Sequence, residues 1–169
     1  MFSHTLTERA AALLSQLRDR DLRVAIAESC TGGLVCGLLT EIPGSSSVVE
    51  RGFVVYSNQA KQDMLGVSQA TLTEWGAVSE PTAVAMAKGA LAHSTADLAV
   101  SITGIAGPDG GTADKPVGLV HFACARRGAT TVALSRRFGP IGRSAVRLAA
   151  VETALKLMEE DVLQVAARP

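Results

Sequence analysis

The chain has 169 residues, of which 47% are hydrophobic, and its 16 basic residues balance its 16 acidic residues. This length is sufficient for one domain with a sizeable core, which we expect to span residues 1–169. The balanced charge argues against an extended basic surface for nucleic acid, and an aromatic content of 4% argues against stacking platforms for single strands.

Cysteine spacing and apolar run length concern the cellular location. No apolar segment precedes a small-residue cleavage site at the start, and none reaches the ~18 residues of a membrane span. Cys30, Cys36 and Cys124 form no CxxC pair, and an odd, unpatterned set of cysteines is typical of a reducing compartment. We therefore expect a cytoplasmic protein with no membrane partner.

The first part of the chain predicts a helix, a strand and a second helix. Residues 5–20 carry apolar side chains at helical spacing. Residues 24–27 form a short apolar run, which is typical of a strand covered on both faces. Helical spacing returns from residue 33 to about residue 40. Residues 29–31, Ser-Cys-Thr, are therefore expected in a sharp strand-to-helix turn.

The next segment predicts a second strand over residues 48–56 and a short helix over residues 59–65. Tyr56 lies at the end of this strand, and Lys61 lies in the opening turns of this helix. Ligand sites in open sheets gather at the carboxyl ends of the strands. Ser29, Tyr56 and Lys61 are therefore expected on one rim.

The rest of the chain predicts three more strands. A short helix over residues 70–75 and an alanine-rich helix that opens at Ser79 precede the third strand, at residues 97–103. A Gly-rich loop follows, then two alternating strands at residues 116–125 and 130–138.

A last helix covers residues 139–162. Helices alternate with strands early and a hairpin comes late. The predicted fold is therefore α/β, a three-layer α/β/α sandwich with a mixed, mostly parallel sheet and a late antiparallel hairpin.

The turn at Ser29 has a chemical and a purely structural interpretation. The N–H groups that open a helix are unpaired and carry the positive end of its dipole, which suits an oxyanion. Ser29 is then a candidate nucleophile beside a candidate oxyanion hole. Serine and threonine are also the usual N-caps, so local sequence alone favours a turn that merely caps the helix. Cys30 is a rival nucleophile, since a helix N-terminus can lower the pKa of a thiol.

A nucleophilic serine needs a base that takes the proton of its hydroxyl group. His4, His93 and His121 adjoin no strand-end motif, so a Ser-His-Asp triad has little support. A lysine with a lowered pKa can serve instead, and Lys61 is the best placed. Tyr56, at the end of the second predicted strand, could relay a proton or orient the substrate. The alternative for Lys61 is an exposed helix charge.

Two further observations concern ligands. The loop over residues 104–111 can cradle a phosphate with its N–H groups, although it has neither a Walker A ending nor the GxGxxG spacing. Arg143 and Arg147, one helical turn apart, could also supply an anion site. The acidic residues are dispersed and no cluster has ligand spacing, so we expect no metal and no cofactor.

Four segments, in order along the chain, resemble the CinA C-terminal domain family: residues 27–33, 56–58 with Lys61, 103–108 and 115–118. The resemblance covers about residues 6–158. It implies hydrolysis of the carboxamide of nicotinamide mononucleotide to nicotinate mononucleotide and ammonia. The catalytic residues that it implies are Ser29 as the nucleophile, with Lys61 and Tyr56 as its activating partners. The substrate-binding residues that it implies are Cys30, Thr31, Gly32, Gly33, Thr103, Gly104, Gly107 and Arg143.

The resemblance leaves two functions of different class open. An amidase needs Lys61 buried and mostly neutral next to Ser29, whereas a non-catalytic nucleotide-binding module of a competence or damage response can leave Lys61 exposed. An amidase acting on another amide is a third alternative. The family also implies a homo-oligomer, in which a neighbouring chain could contribute to the site. The expected small-molecule partner is nicotinamide mononucleotide.

Overall fold

A computed structural model describes residues 2–166 of the chain and, for side chains, residues 2–163. The helices in this range are α1 (His4–Arg18), α2 (Leu34–Thr40), α3 (Asn58–Leu65), α4 (Gln69–Trp75), α5 (Glu80–Ala92) and α6 (Arg143–Ala166). The strands are β1 (Val24–Glu28), β2 (Val49–Val54), β3 (Leu98–Gly104), β4 (Leu119–Arg126) and β5 (Val132–Arg137).

The five strands form one sheet in the order β2-β1-β3-β4-β5. β1 pairs in parallel with both β2 and β3, and the β3–β4 and β4–β5 pairings are antiparallel. Four of the five strands therefore run in the same direction. The predicted mixed α/β sandwich and its late hairpin are confirmed.

The two faces of the sheet carry side chains of different size. Larger residues face α1, α2 and α6, and they include Val24, Ile26, Leu98, Val100, Ile102, Val120 and Phe122. Alanines face α5, namely Ala25, Ala27, Ala99, Ala123 and Ala125. The alanines of α5 that meet this face, Ala83, Ala87 and Ala90, are fully buried. Short side chains on both surfaces let α5 pack closely on the sheet, as the alanine-rich sequence predicts.

The last helix begins at Arg143, later than its predicted opening at residue 139. Gly139 and Gly142 have φ angles of 77° and 97°, and a left-handed backbone ends any helix that would continue through them. None of the helices within residues 2–166 combines the length and apolar character needed to cross a membrane.

The parallel strands set the position of the candidate site. β2, β1 and β3 are neighbours and run the same way, so their carboxyl ends meet at one edge of the sheet. Ser29 follows β1, Tyr56 lies two residues after β2, and Gly104 ends β3. The predicted rim is therefore present.

Candidate active site

Ser29 lies in the turn that joins β1 to α2. Its N–H donates to the carbonyl oxygen of Ile102 in β3 (2.9 Å), which anchors the turn to the neighbouring strand. Gly32 and Gly33 follow with φ angles of 60° and 94°, which allow the chain to reverse before the helix starts. Ser29 is buried, with 8% of its surface exposed, so its hydroxyl is held rather than freely hydrated.

Lys61 meets Ser29 from α3. The Ser57 hydroxyl accepts a hydrogen bond from the N–H of Ala60 and thereby starts this helix, which places Lys61 in its first turns. The Lys61 side chain is 1% exposed, and its Nζ lies 3.1 Å from Ser29 Oγ and 2.9 Å from the carbonyl oxygen of Val55. Lys61 is therefore not an exposed helix charge.

Burial changes the chemistry of Lys61. Removal from water disfavours the ammonium form and lowers the pKa of Lys61 below its usual range, while the nearby Cys30 thiol acts weakly in the opposite direction. A neutral amine can accept the Ser29 hydroxyl proton and still donate to the Val55 carbonyl. Ser29 and Lys61 thus have the geometry of a nucleophile and its base.

The prediction that the N–H groups at the start of α2 form an oxyanion hole is wrong. Both carboxylate oxygens of Glu28 turn back onto this helix and accept hydrogen bonds from the N–H groups of Gly33 (3.0 Å), Val35 (3.1 Å) and Cys36 (2.9 Å). Glu28 is 1% exposed, and its side chain satisfies the donors that the sequence had suggested were free. These N–H groups are therefore not available to a ligand.

Cys30 does not have the properties of a rival nucleophile. Its side chain is buried, and desolvation raises the pKa of its thiol to about 12. A thiol with this pKa carries almost no thiolate at neutral pH, and the thiolate is the reactive form. Within the part of the chain that the structure describes, Ser29 has a base within hydrogen-bond distance and the Cys30 thiol does not.

A cavity of about 250 Å³ opens beside Ser29 and Lys61. Its other walls come from the segments after β2 and β3, from the segment before α5, and from the start of α6. The lining residues are Ser29, Cys30, Tyr56, Lys61, Ala77, Val78, Thr103, Gly104, Ile105, Ala106, Gly107, Asp109, Gly110 and Arg143. Of the predicted site residues, the cavity brings together Ser29, Lys61, Tyr56, Cys30, Thr103, Gly104, Gly107 and Arg143.

Tyr56 and Arg143 form a pair at the cavity. Tyr56 is 58% exposed, and its hydroxyl accepts a hydrogen bond from Arg143 Nη2 (2.8 Å). Arg143 Nη1 donates to the carbonyl oxygen of Gly107 (3.0 Å) and so ties α6 to the Gly-rich loop. Among the described residues, no hydrogen bond joins Tyr56 to Ser29 or Lys61. This geometry favours substrate orientation over proton relay as the role of Tyr56.

Thr103 and Gly104, at the end of β3, have structural roles at the cavity wall. The Thr103 hydroxyl donates to the carbonyl oxygen of Ala77 (2.7 Å), which fixes the segment before α5. A Cβ at Gly104 would lie 2.8 Å from the carbonyl oxygen of Leu119, so glycine is needed there for close packing on β4. Close approach to a ligand is therefore not required to explain Gly104.

The remaining predicted residues lie outside the cavity wall. Thr31 is fully buried, and neither Thr31, Gly32 nor Gly33 is among the described residues that line the cavity. Arg147, a candidate for an anion site, is instead bound to main-chain carbonyls of the Ser29 turn. These residues shape the turn and do not line the cavity.

The positions of the histidines and of possible metal ligands can be compared with the cavity for residues 2–163. None of its histidines lines the cavity beside Ser29. No group of three or more His, Cys, Asp and Glu side chains within residues 2–163 is arranged to hold a metal ion.

The family model of the CinA C-terminal domain matches residues 6–162. The chain belongs to this family. The nicotinamide-nucleotide amidohydrolase PncC of Escherichia coli is 52% identical over 149 residues, which cover 88% of this chain and 89% of that protein. A crystal structure of the competence/damage inducible protein CihA from Agrobacterium tumefaciens has a TM-score of 0.93 at 52% identity, covering 95% of this chain and 97% of that one.

Other CinA relatives are longer. A relative from Caldicellulosiruptor bescii, named for competence-damage induction, is 54% identical over 115 residues, and the match spans 28% of its length. The CinA-like protein of Syntrophobacter fumaroxidans is 51% identical over 143 residues, which span 33% of its length. The CinA domain therefore occurs both as most of a protein and as part of a larger one.

The sequence did not predict several residues at or next to this cavity of the CinA domain. Glu28 had a readable signal, because it is an acid at the end of an otherwise apolar strand. Asp109 lines the cavity although its position in the loop suggested no role. Ala77 and Val78 line it as well, and two apolar residues between helices carry no signal that could have identified them.

Proposed function

We propose that this CinA domain is an amidohydrolase that deamidates nicotinamide mononucleotide to nicotinate mononucleotide and ammonia, using Ser29 as nucleophile and Lys61 as its base. One observation carries the proposal: a fully buried lysine places Nζ 3.1 Å from the hydroxyl oxygen of a serine at a cavity wall. Burying a lysine is costly, and a binding module has no use for the resulting neutral amine. The name of the Escherichia coli relative supports the choice of substrate.

In the first half of the reaction, Ser29 Oγ attacks the carboxamide carbon while Lys61 Nζ takes the hydroxyl proton. The carbonyl π electrons move onto oxygen and form a tetrahedral oxyanion. When the carbonyl re-forms, the C–N bond breaks and Lys61 returns the proton to the leaving nitrogen. Ammonia departs, and the nicotinoyl group remains as an ester of Ser29.

In the second half, water attacks the ester carbon and Lys61 takes one of its protons. Collapse of the second tetrahedral species breaks the bond to Ser29 Oγ, which recovers its proton from Lys61. The product leaves as the carboxylic acid, which gives its proton to solvent and becomes the carboxylate, and the enzyme returns to its starting state. One base therefore serves both halves, consistent with its position between Ser29 and the Val55 carbonyl.

The cavity offers separate features for the rest of the nucleotide. Tyr56 supplies an exposed aromatic ring, and Arg143 supplies a cation whose remaining N–H donors suit a phosphate. Asp109 adds a carboxylate that can accept hydrogen bonds from ribose hydroxyls. A nucleotide amide would use all three, whereas free nicotinamide would use only the ring contact. This difference supports a nucleotide over a smaller amide.

Ammonia release from nicotinamide mononucleotide tests the proposal, with the wild type, Ser29→Ala and Cys30→Ala measured in parallel. We expect activity in the wild type and in Cys30→Ala and its loss in Ser29→Ala. Loss in Cys30→Ala alone would move the nucleophile by one residue. A folded wild type that binds the nucleotide without releasing ammonia would favour the binding module. Faster turnover of nicotinamide or another simple amide would keep the mechanism but change the substrate.

Self-association stays a prediction. Several apolar side chains are exposed in the single chain, among them Trp75 (49%), Ile141 (55%) and Leu163 (58%). Sedimentation velocity over a range of concentrations would determine whether the chain associates with itself.

A further inference from the structure

Arg147 is bound to the turn that carries the nucleophile. It lies one helical turn after Arg143 in α6, and its Nε and Nη2 donate to the carbonyl oxygens of Cys30 (3.2 Å) and Thr31 (2.8 Å). A Cβ at Gly32 would lie 3.3 Å from Nη2, so the guanidinium fits closely against the main chain. Arg147 is not among the described residues that line the cavity. Its contacts are therefore with the main chain after Ser29 and not with the cavity wall.

The carbonyl groups of this turn are all engaged. The Ser29 carbonyl oxygen accepts from the N–H of Gly32 (3.1 Å), and Arg147 engages the next two. A trans peptide is planar, so fixing a carbonyl also fixes the N–H on its opposite side. The hydrogen bond to the Ser29 carbonyl therefore sets the direction of the Cys30 N–H, and the contacts of Arg147 hold the peptides that follow.

The N–H of Cys30 makes no main-chain hydrogen bond to another described residue, and it lies next to Ser29. Among the described residues, no main-chain carbonyl accepts from the N–H of Cys30, whose interaction is with its own thiol sulfur, although the residue is buried and lines the cavity with Ser29. Buried N–H groups normally have a partner. The N–H of the residue after a serine nucleophile is a recurrent oxyanion donor in hydrolases. The donors at the start of α2, by contrast, are occupied by Glu28.

We propose that the Cys30 N–H holds the oxyanion of the carboxamide, and that Arg147 is the positioning residue that keeps this N–H and Ser29 Oγ in the reactive arrangement. The inference rests on the proposed amidase function. Arg147 touches neither the substrate nor the reacting atoms; it acts through the two carbonyl groups that it binds. Removing it leaves the cavity wall in place but frees the turn to adopt other peptide orientations.

The charge of Arg147 acts in the same direction. Burial is the main cause that raises the pKa of the Cys30 thiol; the charge of Glu28 raises it further, whereas Arg147 and Lys61 lower it. A negative charge that develops beside Cys30 is therefore favoured by Arg147 and opposed by Glu28. An oxyanion in this position gains from the arginine without contacting it.

The test compares Arg147→Met with a matched arginine variant. Arg127 also binds main-chain carbonyls, those of Leu91, Ser94 and Ala96, but it adjoins Arg126, which pairs with the first residue of β3 at the opposite end of that strand from the cavity. Arg127→Met therefore reports the structural cost of losing such contacts. Ammonia release gives kcat and KM for both variants and the wild type, and thermal unfolding checks that each is folded.

We expect Arg147→Met to lower kcat by about 10²–10³-fold, the loss typical of a missing oxyanion donor, with KM changed by less than about threefold. Arg127→Met should keep the wild-type kcat. Arg147→Lys retains the charge but not the fork, so its kcat should be intermediate. Added guanidinium ion should partly restore kcat to Arg147→Ala and should do nothing for Arg127→Ala.

Each other outcome has a definite meaning. A folded Arg147→Met with the wild-type kcat overturns the inference while the amidase proposal stands. A rise in KM alone would make Arg147 a substrate contact and would also overturn it. If Arg147→Met does not fold, the Lys variant and the guanidinium rescue decide, and a rescue that fails in a folded Arg147→Ala counts against the inference. If the wild type releases no ammonia, it is the proposed function that fails first.

Discussion

Replacing Lys61 with methionine should remove activity and, at the same time, change how stability depends on pH. Methionine keeps most of the length and apolar surface of the side chain but has no basic nitrogen. A general base contributes about 10²–10⁴-fold to a rate. At 1.36 kcal/mol per factor of ten, this is about 3–5 kcal/mol of the barrier. We expect kcat to fall by that factor, because Nζ is the only base within 3.1 Å of Ser29 Oγ among the described residues.

The stability effect follows from the lowered pKa of Lys61 in the folded chain. Between that pKa and the value of about 10.4 for an unfolded lysine, the unfolded chain binds a proton that the folded chain does not. The stability of the wild type must therefore rise with pH across this window by about 1.4 kcal/mol per pH unit from Lys61 alone. The methionine variant has no such contribution. Its lost hydrogen bond to the Val55 carbonyl adds a difference that is independent of pH.

The assay is urea unfolding of the wild type and Lys61→Met at several pH values from 7 to 10. The free energy of unfolding of the wild type should gain on that of the variant as pH rises. The kcat/KM of the wild type should rise over the same pH range, since the neutral amine is the active form. Lys88→Met, which replaces an exposed lysine of α5, should show neither effect. A stability difference that stays constant from pH 7 to 10 would refute the reasoning from burial.

Three further predictions concern the cavity and its support. Cys30→Ser should keep at least a tenth of the activity. Iodoacetamide at pH 8 should not modify Cys30 in the folded wild type, because burial raises the pKa of this thiol to about 12. Mass spectrometry of the peptide that contains Cys30 checks the labelling. Arg143→Met should raise KM for the nucleotide by about tenfold or more with a smaller change in kcat, and Tyr56→Phe should keep the ring contact but lose the hydrogen bond to Arg143. Gly89→Ala should destabilise the fold by about 1–3 kcal/mol in urea unfolding, because a Cβ would collide with a carbonyl oxygen of α3, whereas Gly37→Ala meets no atom within 4 Å and should be neutral or stabilising.

The rim of the site could be predicted from the sequence because it follows from local patterns and one topological rule. An apolar strand ending at a Ser-Cys-Thr turn, a second strand ending at Tyr56 and a third ending in glycines are all visible in the residues. Parallel strands then bring their ends to one edge. The distance between Ser29 and Lys61 could not be predicted from the sequence. It depends on how closely α3 packs on α5 at Gly89, and this long-range contact leaves no local signal.

The order of the strands could likewise be predicted only where it depends on local sequence. The β4–β5 hairpin is joined by a short turn and could be predicted from alternation and the Arg-Arg-Gly-Ala segment. The placement of β1 between β2 and β3 depends on crossovers through helices, and the sequence left it open. Gly104 was interpreted as a ligand contact for a related reason: its need for close packing on β4 is visible only once that pairing is known.

Two buried ionisable side chains, Glu28 and Lys61, lie next to Ser29, and they differ in the polar groups that replace water around them. Glu28 replaces water with three main-chain N–H groups, so its carboxylate is fully engaged and the start of α2 is closed to any other anion. Among the described residues, Lys61 has only the Val55 carbonyl and the Ser29 hydroxyl as hydrogen-bond partners, and burial therefore favours its neutral form. The donors that would ordinarily make a helix start an anion site are thus used to hold the turn, and the proposed reaction depends instead on the amine of Lys61 and on the turn itself. The reason for which the sequence pattern selected Ser29, free N–H donors at the start of α2, is therefore not supported by the structure.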